Sequence, residues 1–267
     1  MKKSVKVIIT LGVCFVAILV GALGSVVAFG TATPKTTIEA YNLTFKDTVY
    51  ISYAVNFENA PANSEKGILV WETPQSSYTI ETADCTKVTK VTEVFTTATI
   101  DGKNCNVYNY SGIAAKELAR DVYTVSFIKA PDGTYTYSEP HKYSVLQYAY
   151  NKLGYTGTAT DDTGLVNLLN AMLDYGAEAQ KYFNYDVENL ANAKYYQILL
   201  SDGALADQSK RGLYREGIDI TVTAPEVKDG KSFAGWMNGD GQYVSYDATY
   251  TFKMPAENTE LTPVYAE

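Results

Sequence analysis

One histidine, two cysteines beyond the first thirty residues and 23 tyrosines set the chemistry open to this 267-residue chain. A single imidazole excludes metal sites built from several histidines and leaves His141 as the one candidate partner for a nucleophile. His141 follows Ser138-Glu139-Pro140, and because Pro140 interrupts a strand ladder it reads as a solvated residue just past a strand end. No local motif activates Cys85 or Cys105 as a nucleophile. The 30 Asp and Glu leave room for a glycosidase pair, yet no spacing forces two of them into a common cleft. Asp161-Asp162 and Asn238-Gly239-Asp240 cluster oxygens, but neither has the alternating loop and terminal Glu of a calcium hand, so both read as turns. No cofactor or metal is called for. Tyrosine is the residue in excess, against 9 Phe and 2 Trp. It suits half-buried sheet positions with a wet hydroxyl. Exposed, the same residues would stack sugars or grip a protein, and Tyr50, Tyr123, Tyr182 and Tyr185 are the candidates for such a platform.

These residues need elements to hold them. From residue 34 to 143 the pattern is strand after strand with turn signals every eight to twelve residues or so, as in a β-sandwich. In Val49-Tyr50-Ile51-Ser52-Tyr53-Ala54-Val55-Asn56-Phe57 the odd positions form an apolar face, while Ser52 and Asn56 lie on the other. Residues 67–71 are an unbroken apolar run, the mark of a central strand. Residues 122–128 and 134–137 flank Ala130-Pro131-Asp132-Gly133 and predict a hairpin. Between strands, Ser111-Gly112-Ile113-Ala114-Ala115-Lys116-Glu117-Leu118 reads as a crossover with one helical turn, Ile113 and Leu118 plugging the sandwich. At 144–192 the period changes to 3.6. Ser144 caps a helix over 145–153, and Asp161 or Asp162 opens a longer one over 163–182. Its Leu165, Leu168, Leu169, Met172, Leu173, Gly176, Ala179 and Phe183 make one stripe, and Gly176 predicts a close backbone approach. From 193 to 267 short strands return, near the lower size limit for an independent core.

Lys2, Lys3 and Lys6 precede an uncharged run over 7–29, which reads as an export signal ending at Ala28 or, uncleaved, as an N-terminal membrane anchor. The formal charge of −8 and pI near 4.8 argue against nucleic acid. Removal of 1–28 would leave 19 basic residues against 30 acidic. Cys14 would leave as well, and parity in an oxidising compartment favours a disulfide between Cys85 and Cys105.

The last segment resembles the bacterial surface repeat of the Listeria-Bacteroides type, the internalin B-repeat-like module. The resemblance rests on Ile220-Thr221-Val222-Thr223-Ala224-Pro225, Gly230-Lys231-Ser232-Phe233-Ala234-Gly235-Trp236, Tyr250-Thr251-Phe252-Lys253-Met254-Pro255 and Thr259-Glu260-Leu261-Thr262-Pro263-Val264-Tyr265. It implies a small β or β-grasp-like spacer of secreted and wall-associated proteins, without catalytic residues. The preceding region, through Leu173-Asp174-Tyr175-Gly176-Ala177-Glu178-Ala179, looks like segments of exported modular proteins of clostridial, Gram-positive gut bacteria, and the strands before it are similar in pattern to immunoglobulin or fibronectin-III domains. The fold expectation is mainly β with a helical insert: a sandwich, two helices packed on it and a repeat module. The functional expectation is a non-catalytic, secreted or cell-surface protein with a structural or adhesive role. A carbohydrate-binding protein is second and a carboxylate-based glycoside hydrolase third. The partners expected are a cell-wall, host or dietary glycan or another surface protein, with a membrane only through the N-terminal segment.

Overall fold

The computed structural model describes residues 32–45, 48–88 and 96–266, and from Thr33 onward these form one compact unit. The expected export segment, with its cleavage site at Ala28, lies outside the described residues. Among the described residues nine strands come before the α-helices: β1 (Lys35–Phe45), β2 (Val49–Glu58), β3 (Glu65–Trp71), β4 (Thr86–Val88), β5 (Thr96–Ile100), β6 (Lys103–Tyr110), β7 (Val122–Lys129), β8 (Tyr135–Tyr137) and β9 (His141–Tyr143). They form two antiparallel sheets, one ordered β1-β2-β6-β5, the other β4-β3-β7-β8 with β9 also on β7. Ile51, Tyr53 and Val55 of the first sheet meet Ile68, Val70 and Val122 of the second in a shared core. The opposite face of the second sheet is not wet. Leu69, Trp71, Tyr123, Val125 and Phe127 are covered there by Tyr78 from the segment after β3. Burial on both faces is why 67–71 is apolar without alternation. The crossover forms as expected, a 3₁₀ turn at Ala115–Glu117 with Leu118 buried and Ile113 packed on the core.

Helix α1 (Val145–Lys152) starts at Ser144, whose Oγ accepts from Gln147 N at 3.1 Å. Helix α2 (Thr163–Phe183) starts at Asp162, which accepts from Leu165 N at 3.0 Å, and ends at Asn184 in the left-handed conformation. Its buried face runs through Leu169, Leu173, Gly176, Ala177 and Gln180, while Leu168 and Phe183 are exposed. The expected stripe is thus rotated, and a polar side chain occupies it. Gln180 receives Ala191 N on Oε1 at 2.7 Å and donates to Asn189 O at 2.9 Å, satisfying the backbone of the returning loop. Gly176 does sit at a close approach: a Cβ there would lie 3.0 Å from Leu118 Cδ1 and 3.2 Å from Ala191 Cβ.

The chain then forms β10 (Tyr196–Leu200), β11 (Ala204–Leu205), β12 (Arg211–Tyr214), β13 (Asp219–Thr223), β14 (Val227–Lys228), β15 (Lys231–Asn238), β16 (Tyr243–Ser245), β17 (Thr249–Lys253) and β18 (Thr259–Ala266). One sheet is ordered β12-β10-β18-β15-β14 with β16 on β15, and β11-β13-β17 makes another. Strands β10 and β18 run parallel, Ile198 opposite Thr259 and Leu200 opposite Leu261. Trp236 lies fully buried among Ile198, Val222, Met254 and Leu261, its Nε1–H donating to Ala248 O at 3.2 Å. The described residues are mainly β with two α-helices.

Candidate functional site

Strand β9 is only three residues long, yet it places three side chains in two environments. Tyr123, Thr124 and Val122 of β7 face Lys142, His141 and Tyr143. Alternation sends His141 and Tyr143 toward the sandwich core and Lys142 to the opposite face. The His141 ring lies against Tyr41, tilted by 47° with centroids 4.0 Å apart, and meets Tyr53 edge-on at 6.2 Å. Its Nε2 is buried without a hydrogen-bond partner. Burial, with a smaller push from Arg211, lowers its pKa to about 3. The histidine expected to be solvated is instead half-buried with its Nε2 turned inward: after Pro140 the edge of β7 resumes in β9 and draws the ring onto Tyr41.

On the other face Lys142 is 4% exposed. Its Nζ lies 2.7 Å from Asp207 Oδ2, 3.3 Å from Asp121 Oδ2 and 3.4 Å from the Tyr214 hydroxyl. The ammonium also sits over the rings of Tyr123 and Tyr214, 5.8 and 5.2 Å from their centroids. Asp207 lies in the turn between β11 and β12. Its Oδ2 accepts from the Tyr123 hydroxyl at 2.9 Å; its Oδ1 accepts from Ser209 Oγ at 2.5 Å and Ser209 N at 3.1 Å. Tyr78 donates to Asp207 O at 3.0 Å and stacks on Tyr123. Burial alone would raise the Asp207 pKa, but the adjacent ammonium and the Ser209 donors outweigh it and hold it below the usual range. Two carboxylates hold Lys142 charged in spite of its burial. The cluster pins the 205–209 turn onto the outer face of the sandwich.

A second feature is a cleft of about 530 Å³ where α1, α2, the 191–196 segment and the 257–258 turn meet. Its aromatic wall is Tyr150, Tyr155, Tyr195 and Tyr196. Tyr150 is fixed, its hydroxyl donating to Ala193 O at 2.7 Å and accepting from Tyr195 N at 3.0 Å. Asn258 ties the far side, donating to Tyr155 O at 2.7 Å and accepting from Gln197 N at 2.8 Å. Asn170, Asp174 and Asn192 add amide and carboxylate groups, Asn192 donating to Asp174 at 2.9 Å. Fixed rings beside exposed amides offer apolar faces and directed hydrogen bonds to one ligand.

With Trp236 buried in its own small core, and with Gly203 so close that a Cβ would lie 2.8 Å from the Trp236 ring, the C-terminal segment has the order of strands and glycines that a family comparison tests directly. Residues 199–267 match the family model for the divergent InlB B-repeat domain. No curated protein and no solved structure matches the chain. The InlB B-repeat match begins inside β10, three residues after that strand starts at Tyr196. Asp207 and Tyr214 thus lie within the matched segment, and Lys142, Tyr123 and Asp121 before it.

The residues singled out from sequence fall in different places. Cys85 and Cys105 are free thiols in this structure, so the expected disulfide is not made. Cys105 is buried on β6 with Sγ 3.7 Å from Lys103 O, whereas Cys85 leads into β4 of the other sheet and packs on the Trp71 cluster. Burial raises the Cys105 thiol pKa, against nucleophilic use. Tyr123 is 4% exposed and so cannot belong to an open platform; Tyr50 is half-buried on β2. Tyr182 is 84% exposed, and Lys116 Nζ lies over the rings of Phe183 and Tyr185 at 5.6 and 5.0 Å. The four do not form one surface. Asp162 and Asn238 serve as a helix cap and a turn acceptor, Asn238 Oδ1 taking Asp240 N and Gln242 N. Among the described residues no group of three His, Cys, Asp or Glu is placed to hold a metal. No described helix is long and apolar enough to cross a membrane. Lys142 and Asp207, which sequence reasoning missed, are 65 positions apart, and no local motif links them.

Proposed function

We propose that this chain is a non-catalytic secreted or cell-surface protein with a structural or adhesive role. The observation that carries the reading is the match of 199–267 to the divergent InlB B-repeat domain, a surface-type repeat. The buried Lys142–Asp207 contact supports it, because a repeat held in one orientation presents a fixed surface to a partner. The desolvated His141, a poor base with a pKa near 3, supports the absence of His-centred catalysis. Brief protease treatment of intact cells expressing the full chain tests localisation. Peptides from 33–267 should be released without lysis; their appearance only after lysis would remove the proposal.

The cleft favours a second reading, carbohydrate binding, at residues different from those expected. Tyr155 and Tyr196 supply ring faces and Asn170, Asp174 and Asn192 the polar groups that sugar hydroxyls require. On a glycan array the full chain should bind one polysaccharide class. Tyr155→Ala and Tyr196→Ala should each weaken that binding by roughly tenfold or more, the effect of losing an aromatic anchor. Silence across wall, host and plant glycans would leave the adhesive reading with a protein partner.

A further inference from the structure

Lys142, Asp207 and Asp121 bring an amine, an acyl group and a proton carrier together beside the rings of Tyr123 and Tyr214. The Nζ contacts Asp207 Oδ2 at 2.7 Å, with the Asp121 carboxylate 3.3 Å from the same nitrogen. The rings of Tyr123 and Tyr214 bound the site. The donors around Asp207 are divided between its two oxygens. Ser209 Oγ–H and N–H both point at Oδ1, whereas Tyr123 O–H and Lys142 Nζ both point at Oδ2. A buried ion pair by itself adds little net stability once its desolvation is counted.

We propose that Lys142 and Asp207 condense to an intramolecular amide, an isopeptide bond that joins the sandwich covalently to the repeat, with Asp121 as the proton relay. The balance closes without an oxidant, a reductant or a co-reactant. A proton passes from the Lys142 ammonium to Asp207 Oδ2, giving a neutral amine beside a carboxylic acid; the neighbouring carboxylates and donors favour the charged pair, so this neutral pair is the minor form from which the reaction draws. The nitrogen lone pair forms the C–N bond to Asp207 Cγ. The developing oxyanion is Oδ1, already faced by the hydroxyl and N–H of Ser209 in the manner of an oxyanion hole. Asp121 takes one proton from the nitrogen and delivers it to Oδ2, which carries the proton from the first step. Oδ2 leaves as water as the C–O bond breaks, Oδ1 becomes the amide carbonyl, and Asp121 is again a carboxylate. Holding amine and acyl group at contact distance removes the orientational cost of a bimolecular encounter.

The test is peptide mapping of the purified, unvaried full chain, denatured and digested with trypsin. The bond would block cleavage after Lys142. It should yield peptide 130–152 joined to peptide 195–210, one water lighter than the two apart, with fragmentation placing the link on Lys142 and Asp207. Asp121→Ala keeps both partners and should slow appearance of the linked peptide by roughly 100-fold or more, the usual contribution of a positioned acid–base group. Recovery of 130–142 and 195–210 as separate peptides of full mass from folded protein would overturn the proposal. A link to Asp121 instead of Asp207 would overturn the assignment of the acyl partner, and an undiminished rate in Asp121→Ala the relay. The mapping is independent of glycan binding and of cell-surface exposure, so either proposal can fail alone.

Discussion

His141 has exchanged hydration for ring contacts, and the exchange has a pH signature. Its folded pKa, about 3, lies below the ordinary value of 6.5, so the unfolded chain binds the extra proton throughout that interval. Stability from a neutral buried imidazole is therefore full above 6.5 and lost as pH falls toward 3. Between about pH 7 and about pH 5 the loss should be roughly 2 kcal/mol, measured as the urea midpoint at each pH. The groups around the ring are Tyr41, Tyr53, Tyr143 and Arg211. In chains not yet linked, the lowered carboxyl of Asp207 acts in the same direction but only below its ordinary 3.8. His141→Phe should flatten the profile above pH 4 or so; an unchanged slope would show that the imidazole is hydrated. Sequence placed this residue beside a strand-breaking proline and inferred exposure. The error lies in treating Pro140 as an end, when the neighbouring edge of β7 remained open for three more residues. Lys142 was illegible for a different reason: both of its carboxylate partners come from distant segments, so no window of sequence contains the pair.

At the scale of elements, capping and punctuation were legible because they are local. Ser144 and Asp162 cap the helices as their residue types dictate, and the Pro-Asp-Gly turn closes β7 onto β8. The face of α2 was only partly legible. Apolar spacing admitted Leu168 and Phe183, but the neighbours decide which face is buried, and Gln180 holds it because the loop from Asp186 to Ala191 needs its amide. Gln180→Leu keeps the volume and leaves Ala191 N and Asn189 O unpaired in the interior. It should cost about 2–4 kcal/mol, with two groups left unpaired at about 1–3 each and partial relaxation, read from chemical denaturation. Gly176→Leu retains helix propensity while driving a side chain into Leu118 and Ala191. A loss of about 1–3 kcal/mol is expected from overpacking, and a neutral result would show that the crossover can withdraw.

The whole molecule carries the two β regions and the helices in one compact unit from Thr33 onward, although sequence patterning divides it at 143 and 192. Periodicity reports changes of element, and it contains nothing about whether neighbouring cores are fastened together. The fastening is visible only in three dimensions, in Lys142 with Asp207 and in Tyr150 with Tyr195. Calorimetry should accordingly show one transition whose van't Hoff and calorimetric enthalpies agree. Two resolved transitions would mean that the repeat unfolds by itself.

The parallel pairing of β10 with β18 has a mechanical consequence. Strand β18 runs beside β10 in the same direction, Ile198 against Thr259 at one end of the pairing and Leu200 against Leu261 at the other. Tension applied between Tyr196 and Ala266 therefore acts along the shared hydrogen bonds, loading them together in shear. An antiparallel pair pulled from its open end would peel apart one bond at a time. The repeat is built to resist being drawn out along its length, and it would yield more readily to force applied across β10 and β18.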